Sequence, residues 1–295
     1  MTLKTGLTTL ATLTRPLSSV KNAAVILLAY YLVGQPDGMR APLLCFLALS
    51  LTCAGGYAYN TLTDRELDRK NQSKEHFAAA TTLFGARATL TVSLLCVLAG
   101  ALIAASLNIH VLAAVLLLAL ANFLYSWPRT RFKDHFLLDI IFGATLTLPL
   151  RFVAAWFLYS FTFPSLGVLV VLAAAKSGGY MLYKLLDVET YRSAGVHNSI
   201  TRYRYTTVLH AGFALIILAL AITLVLCLNS VFLILPVLGS APFEILWLMP
   251  ATLPTLIILY CRLAGVTRTP VKTLRRLGLL YGLAVIAAYY FFANH

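Results

Sequence analysis

The sequence predicts an all-α polytopic membrane protein, with about nine transmembrane helices in two pseudo-repeated halves around a central cavity. Three observations lead there. First, the chain is 60% hydrophobic and only 11% charged, with a mean hydropathy of +0.85, which excludes an ordinary soluble domain. Second, its apolar runs are long, unbroken and without period-2 alternation, so helices are preferred to a barrel. At roughly 20 residues per span, the length leaves room for about nine. Third, residues 55–69 align without a gap on residues 178–192, an offset of 123. Gly, Gly, Tyr, Leu, Asp, Glu and Arg match, and both copies run from an apolar segment into acidic residues. Such a repeat is expected where two halves of a membrane protein face one polar site.

The first span is predicted at 17–35. The second, 41–60, follows Arg40 and runs into the first acidic stretch. Spans at 85–106 and 110–127 complete the first half. The fifth, 136–158, contains Pro149 and Arg151, and the sixth, 164–186, contains Lys176 and ends in the second acidic stretch. Spans at 206–228, 243–263 and 273–293 follow. The stretch 229–242 is apolar but broken by Pro236, Gly239 and Pro242, and is read as an interfacial loop. The whole, 1–295, is read as a single transmembrane domain with halves of roughly 15–127 and 136–263 and a final helix at 273–293. The first 14 residues lack a small-residue cleavage site, so no removable signal peptide is expected.

Charge orients the spans. The N-terminus and the even-numbered connections collect nearly all the basic residues outside the spans, from Lys4 and Arg15 through Lys133 to Arg276, while the opposite face has only Arg40. By the positive-inside bias the basic face, which carries the acidic motifs, is cytoplasmic. The net charge of +13 is therefore mostly a topology signal, and no soluble basic module exists to bind nucleic acid. Cys45, Cys53, Cys96, Cys227 and Cys261 show no metal-ligand spacing, and the six His residues form no HxxxH or HExxH pattern.

Asn60, Asp64 and Asp68 are spaced i, i+4 and i+8, near one face of a helix. Two carboxylates stacked there repel unless a cation relieves them. Mg²⁺ binds through one or two carboxylates plus substrate phosphates, so the spacing suits a Mg²⁺–diphosphate. The second copy adds Asp187 and Glu189. Arg65, Arg69, Lys70, Lys74, Arg131, Lys133, Lys184 and Arg192 surround them, the cations expected where phosphate is also contacted directly. Tyr57 and Tyr183 lie on the motif helices, where they could line a groove or simply mark the membrane interface. Arg151 could reach the far interface by snorkelling. Lys176 and Asp139 could face the cavity.

At these residues the chain resembles the UbiA superfamily of intramembrane prenyltransferases. Asn60-x-x-x-Asp64-x-x-x-Asp68 resembles that family's first Asp-rich motif, and Tyr183-Lys-Leu-Leu-Asp187-x-Glu189 followed by Gly195 resembles the second. Arg15-Pro16, and Tyr125-Ser126-x-Pro128-x-x-Arg131-x-Lys133, are similar to two further signatures. The second motif departs at Tyr191, where the family has another Asp. Three features are similar to one branch, the decaprenyl-phosphate phosphoribosyltransferases: Val20-Lys21-Asn22 after Arg15-Pro16, Leu150-Arg151-Phe152, and Ser199-Ile200-x-x-Tyr203.

The resemblance implies a Mg²⁺-dependent transferase moving a prenyl group from a polyprenyl diphosphate to an aromatic or lipid acceptor. It implies catalytic roles for Asn60, Asp64, Asp68, Asp187 and Lys133, and metal ligation by Asp64, Asp68, Asp187 and Glu189. Lys21, Asn22, Tyr57, Arg69, Lys74, Tyr125, Arg131, Tyr183, Lys184 and Arg192 would bind substrate. Three alternatives stay open: phosphoribosyl transfer from phosphoribosyl diphosphate to a polyprenyl phosphate, a terpene cyclase on the same scaffold, and, in another class, a secondary transporter. A transporter would place its charges near the midplane, whereas these cluster at one face.

Overall fold

A computed structural model describes residues 3–33 and 38–234 of the chain. Among them every regular element is helical. Six helices among the described residues are long and apolar enough to cross a membrane, and the chain is an integral membrane protein. The predicted spans 243–263 and 273–293, and the second part of the predicted loop 229–242, lie outside the described residues.

The described residues fall into two compact units. The first holds the chain up to Phe163 and takes it up again for Asp187–Arg202. It opens with α1, Leu3–Thr14, which the sequence reading did not anticipate because its apolar residues are interleaved with threonines. Its hydroxyls bond back to the preceding turn, as in Thr9 Oγ1 to the Thr5 carbonyl at 2.8 Å, so the threonines remain tolerable in a helix. A single 3-10 turn, Pro16–Ser19, leads into α2, Val20–Val33. The first predicted span is thus a turn followed by 14 helical residues, about 21 Å long, against a hydrocarbon core of about 30 Å.

The spans α3 (Arg40–Thr63), α6 (Ala86–Leu107) and α7 (Ile109–Ser126) match the expectation to within three residues at each end. Between α3 and α6 lie α4 (Arg65–Arg69) and α5 (Glu75–Phe84). Leu13 of α1, Ala58 of α3 and Ala80 of α5 form a buried cluster against Phe84, which seats α1 and α5 on the end of α3. Gly55 brings α3 against α6: a Cβ there would stand 2.6 Å from the Ser93 carbonyl oxygen and 2.7 Å from Val97 Cγ2. Ser93 Oγ in turn donates to the Gly55 carbonyl at 2.8 Å. Small residues permit this close approach where lipid supplies no hydrophobic drive. The last span of the unit, α8, runs Leu138–Trp156 and contains a π-turn at Ile141–Thr145. Asn108 caps α7, accepting from the Val111 amide at 2.9 Å, and its amide donates to the Phe157 carbonyl at 2.9 Å, fixing the far end of α8. Two short helices, α10 (Val188–Ser193) and α11 (Ser199–Arg202), complete the unit.

The second unit holds α9, Leu166–Leu185, and α12, Tyr205–Ile234. The helix α12 continues past the predicted end at 228, into the first part of the expected loop. Gly178 on α9 repeats the device of Gly55: a Cβ there would lie 2.5 Å from the Gly212 carbonyl oxygen and 2.7 Å from Ile216 Cγ1.

Candidate active site

The three aspartates of the two motifs lie at the helix ends of the first unit. The helix α3 stops at Thr63, and Asp64 takes φ −97°, ψ 4° before α4 begins. The sequence reading carried one helix through the motif; the structure breaks it there. The i→i+4 bonds nevertheless pass through the break, from the Asp64 amide to the Asn60 carbonyl at 2.9 Å and from the Asp68 amide to the Asp64 carbonyl at 2.7 Å. Asp64 and Asp68 therefore keep a shared side. Asp68 is 4% exposed, whereas the Glu66 side chain is 66% exposed and pairs with Arg65 and Arg69 at 3.0 and 3.2 Å. Asp187, 123 residues after Asp64, takes nearly the same backbone, φ −113° and ψ 11°. The Tyr191 amide bonds to its carbonyl at 3.1 Å.

Each motif meets a lysine. Lys133 Nζ lies 2.6 Å from Asp64 Oδ1 and donates to Thr63 Oγ1 at 3.0 Å. Arg131 Nη2 is 4.0 Å from the same carboxylate, and its Nε pairs with Asp134. Lys74 Nζ lies 2.9 Å from Asp187 Oδ2 and donates to the Tyr191 hydroxyl at 3.4 Å. Asn71 Nδ2 holds the other oxygen, Asp187 Oδ1, at 2.9 Å, while its own Oδ1 accepts from the Ser73 amide and hydroxyl. Asn60 Oδ1 accepts from Ser126 Oγ at 2.8 Å. Arg15 donates to Thr61 Oγ1 at 3.0 Å, with its guanidinium 3.8 Å from the centre of the Phe77 ring and 5.4 Å from that of Tyr57.

The electrostatics follow from burial. Asp68 is pushed up to about 7, first by desolvation and then by the charge of Asp64, against the pull of Lys74, Arg15 and Lys133. Tyr191 is pushed up to about 12, mainly by burial; Lys74 opposes this and the Asp64 and Asp187 charges add to it. Tyr191 thus feels carboxylates of both motifs. Arg15 and Arg131 have left-handed backbones, φ 50° and φ 37°, a conformation that costs a non-glycine residue about 1–3 kcal/mol and is concentrated at functional sites.

Not every expected residue joins this cluster. Glu189 is 82% exposed at its side chain and pairs with Arg192 at 3.2 Å, and Arg69 is taken by Glu66. Lys21 is exposed and Tyr125 half-buried. Asn22 is fully buried, donating to Ser50 Oγ at 3.2 Å. Tyr183 and Lys184 belong to the second unit, where Tyr183 is exposed and Lys184 Nζ stands 4.9 Å from the centre of the Tyr180 ring. Sequence reasoning missed Asn71. Its one local signal is the polar turn Asn71-Gln72-Ser73.

Would a divalent cation fit? The Asp64 Oδ1 atom has the Lys133 ammonium at 2.6 Å, a cation whose place Mg²⁺ would take, and Asp68 is buried close enough to feel the Asp64 charge. Among the described residues no three His, Cys, Asp or Glu side chains form a ready cage. That donor set fits Mg²⁺ held by one or two carboxylates with the remaining positions taken by phosphate and water. Beside it, a cleft of about 870 Å³ opens among Thr63, Lys70, Arg131, His135, His197 and Arg202.

A sequence profile described as the UbiA prenyltransferase family matches residues 22–276. The chain belongs to this family. No curated protein matches the chain. Solved structures do. A UbiA homolog from Archaeoglobus fulgidus bound to GPP and Mg²⁺ is 19% identical, with 95% of this chain and 99% of that one covered and a TM-score of 0.72. The apo structure of a UbiA homolog from Aeropyrum pernix K1 is 18% identical, with 94% and 98% covered and a TM-score of 0.72. A structure concerned with digeranylgeranylglyceryl phosphate synthase is 18% identical, with 94% and 97% covered and a TM-score of 0.64. At such identities the likeness speaks to the shared UbiA fold.

Proposed function

We propose that the chain is a Mg²⁺-dependent intramembrane transferase that moves a prenyl group from a polyprenyl diphosphate to an aromatic or lipid acceptor, at the cytoplasmic face. The observation that carries this is the gathering of Asp64, Asp68 and Asp187 with Lys133, Lys74 and Arg131 at the end of α3. Family membership supports the reaction class, and the A. fulgidus homolog bound to GPP and Mg²⁺ supports the donor and the ion. The carboxylates lie beyond the last residue of the span α3, which disfavours a midplane transport site.

Asp64 and Asp68, with Asp187, would hold the ion. When bound, Mg²⁺ supplies neutralisation of the leaving diphosphate. The chain's own groups do the rest. In the resting site Lys133 and Lys74 neutralise Asp64 and Asp187; with donor bound, those lysines turn to phosphate oxygens. Arg131 then faces the negative charge that grows on the diphosphate as the C–O bond breaks. Low-dielectric walls enlarge each of these interactions. Asn60, fixed by Ser126, orients the donor. The isoprenoid chain, too apolar for water, lies between helices and enters from the bilayer.

One observation favours the second reading, phosphoribosyl transfer: the second motif brings only Asp187 to the site, with a phenol at 191 where a second carboxylate would stand. Purified protein incubated in turn with geranylgeranyl diphosphate and phosphoribosyl diphosphate, with Mg²⁺ and a lipid extract, decides between them by mass spectrometry of the lipids. Prenylated products lost on EDTA treatment are expected. Pentosylated polyprenyl phosphate alone would transfer the assignment to the second reading.

A further inference from the structure

Asp139, the second residue of the span α8, is fully buried and ties two loops together. Its Oδ1 accepts from the Ser199 hydroxyl at 2.6 Å and from the Ser199 amide at 3.4 Å. A hydroxyl this close to a carboxyl oxygen is in the range of a charge-assisted bond. The same Ser199 Oγ accepts from the Leu137 amide at 2.8 Å. Leu137, Ser199 and Asp139 thus close a ring that joins the start of α11 to the entry of α8. Its two sides are 60 residues apart in the chain.

The loop held by this ring is the one that carries Lys133. It bends at two left-handed non-glycine residues, Arg131 at φ 37° and Leu137 at φ 64°, with the 3-10 turn Phe132–Asp134 between them. Such backbones persist only where their surroundings over-determine them. At Leu137 the constraint is Ser199. Nearer the other end it is Asn198, also fully buried. Its Nδ2 points at the Lys133 carbonyl from 3.5 Å, while its Oδ1 accepts from the Ile200 and Thr201 amides at 3.0 and 3.1 Å. Two consecutive residues therefore grip the loop at 133 and at 137. The consequence falls on Lys133, whose buried side chain must deliver its Nζ to Asp64 and Thr63. A lysine stem is long and flexible, so a fixed backbone is what makes its head land in one place. A misplacement of about 1 Å in such a site can cost on the order of a hundredfold in rate.

We infer that Asp139, through Ser199, is a positioning residue: it fixes the loop that presents Lys133 to Asp64 and, with donor bound, to the diphosphate. The segment Asp187–Arg202 then serves the site twice, with Asp187 as a carboxylate and with residues 198 and 199 as the grip on Lys133. That Lys133 meets phosphate rests on the transferase reading; that the Asp139–Ser199 pair sets its place rests on the shape of the loop.

The test reads the place of Lys133 and its hold on phosphate separately. The full chain in detergent is acetylated with N-hydroxysuccinimidyl acetate, and each lysine is followed by peptide mass spectrometry. In the wild type Lys133 should react slowly against the exposed Lys70. Ser199→Ala should speed Lys133 by roughly tenfold, the scale of one lost hydrogen bond to a charged group, and leave Lys74 of the second motif nearly unchanged. Calorimetry on the same variants follows the binding of inorganic diphosphate with Mg²⁺. Ser199→Ala should weaken it by about tenfold, on the same grounds. Ser199→Thr, which restores the hydroxyl, should recover most of the loss, and Asp139→Asn, which keeps an acceptor but not the charge, should lie between the two. In a Lys133→Gln background Ser199→Ala should cost less than about twofold, because the lysine it places is gone. The proposal is overturned if Lys133 reacts no faster in Ser199→Ala, if Lys74 speeds up as much, or if Ser199→Ala weakens diphosphate equally with and without Lys133. A wild type that binds no diphosphate would instead sink the transferase reading, and the acetylation ratio would still decide the role of Asp139 and Ser199.

Discussion

Replacing Asp68 by Asn should destroy activity and yet stabilise the metal-free protein. Asp68 is 4% exposed, and its carboxyl is pushed from the ordinary 3.8 up to about 7, by burial and then by Asp64. The pull of Lys74, Arg15 and Lys133 is already contained in that net shift. A carboxyl raised in the folded state binds its proton more tightly there than in the unfolded chain. Its contribution is therefore fully present below about pH 4 and is lost as the pH rises to about 7. At roughly 1.4 kcal/mol per unit, the ionised carboxylate costs on the order of 4 kcal/mol at pH 8. Asn has the same shape without the charge. In EDTA at pH 8, Asp68→Asn should melt roughly 5–10 °C above the wild type, and the excess should vanish near pH 4. Adding Mg²⁺ with donor diphosphate should raise the wild type and leave the variant unmoved. A variant that melts at or below the wild type in EDTA at pH 8 would refute the claim that Asp68 is held at an electrostatic cost.

Asp64→Ala and Asp187→Ala should each lower turnover by two orders of magnitude or more. Glu66→Ala and Glu189→Ala, at exposed positions paired only with neighbouring arginines, should change it less than threefold; the opposite ranking would show that the outward-facing carboxylates hold the ion. Tyr191→Asp should lower the Mg²⁺ concentration for half-maximal activity, since it places a carboxylate one turn from Asp187 and beside Lys74; weaker donor binding instead would favour the phosphoribosyl reading. Gly55→Val and Gly178→Val should each lower the melting temperature, by about 1–3 kcal/mol of overpacking, because their Cβ atoms would meet carbonyl oxygens at 2.6 and 2.5 Å. An unchanged melting temperature in either would show that the helices slide apart freely.

What the sequence made legible was set by period and composition. Five of the described spans end within about three residues of expectation because a bilayer demands long apolar runs. The opening helix α1 was hidden because threonines at Thr8, Thr9, Thr12 and Thr14 look like a loop until their hydroxyls are seen bonding backwards. Glu66 and Glu189 illustrate a second limit. In the alignment Glu66 matches as well as Asp64 does, yet only burial separates a ligand from a solvated charge. Asn71 illustrates a third. Its bond to Asp187 joins residues 116 apart, and no local pattern encodes that partner.

The two breaks at Asp64 and Asp187 explain why the halves of the motif are not equivalent. In each, the helix pauses at the aspartate while the i→i+4 bond continues, so the fourth residue onward stays beside it. In the first copy that residue is Asp68, and the doubled negative charge there draws Lys133 onto Asp64 and raises the Asp68 carboxyl. In the second it is Tyr191, which instead shares Lys74 with Asp187. One backbone device thus yields a charge-rich side built around two carboxylates and a charge-balanced side built around a lysine and a phenol. In the proposed reaction the first side would carry the ion, and the second would receive phosphate oxygens through Lys74. The asymmetry also explains how Glu189 can remain in the repeat without use: with Tyr191 buried against Lys74, the α10 turn is locked with residue 189 outward. A carboxylate at 191 would compete for the same lysine, which is why the Tyr191→Asp variant probes the division of labour between the two motifs rather than either alone.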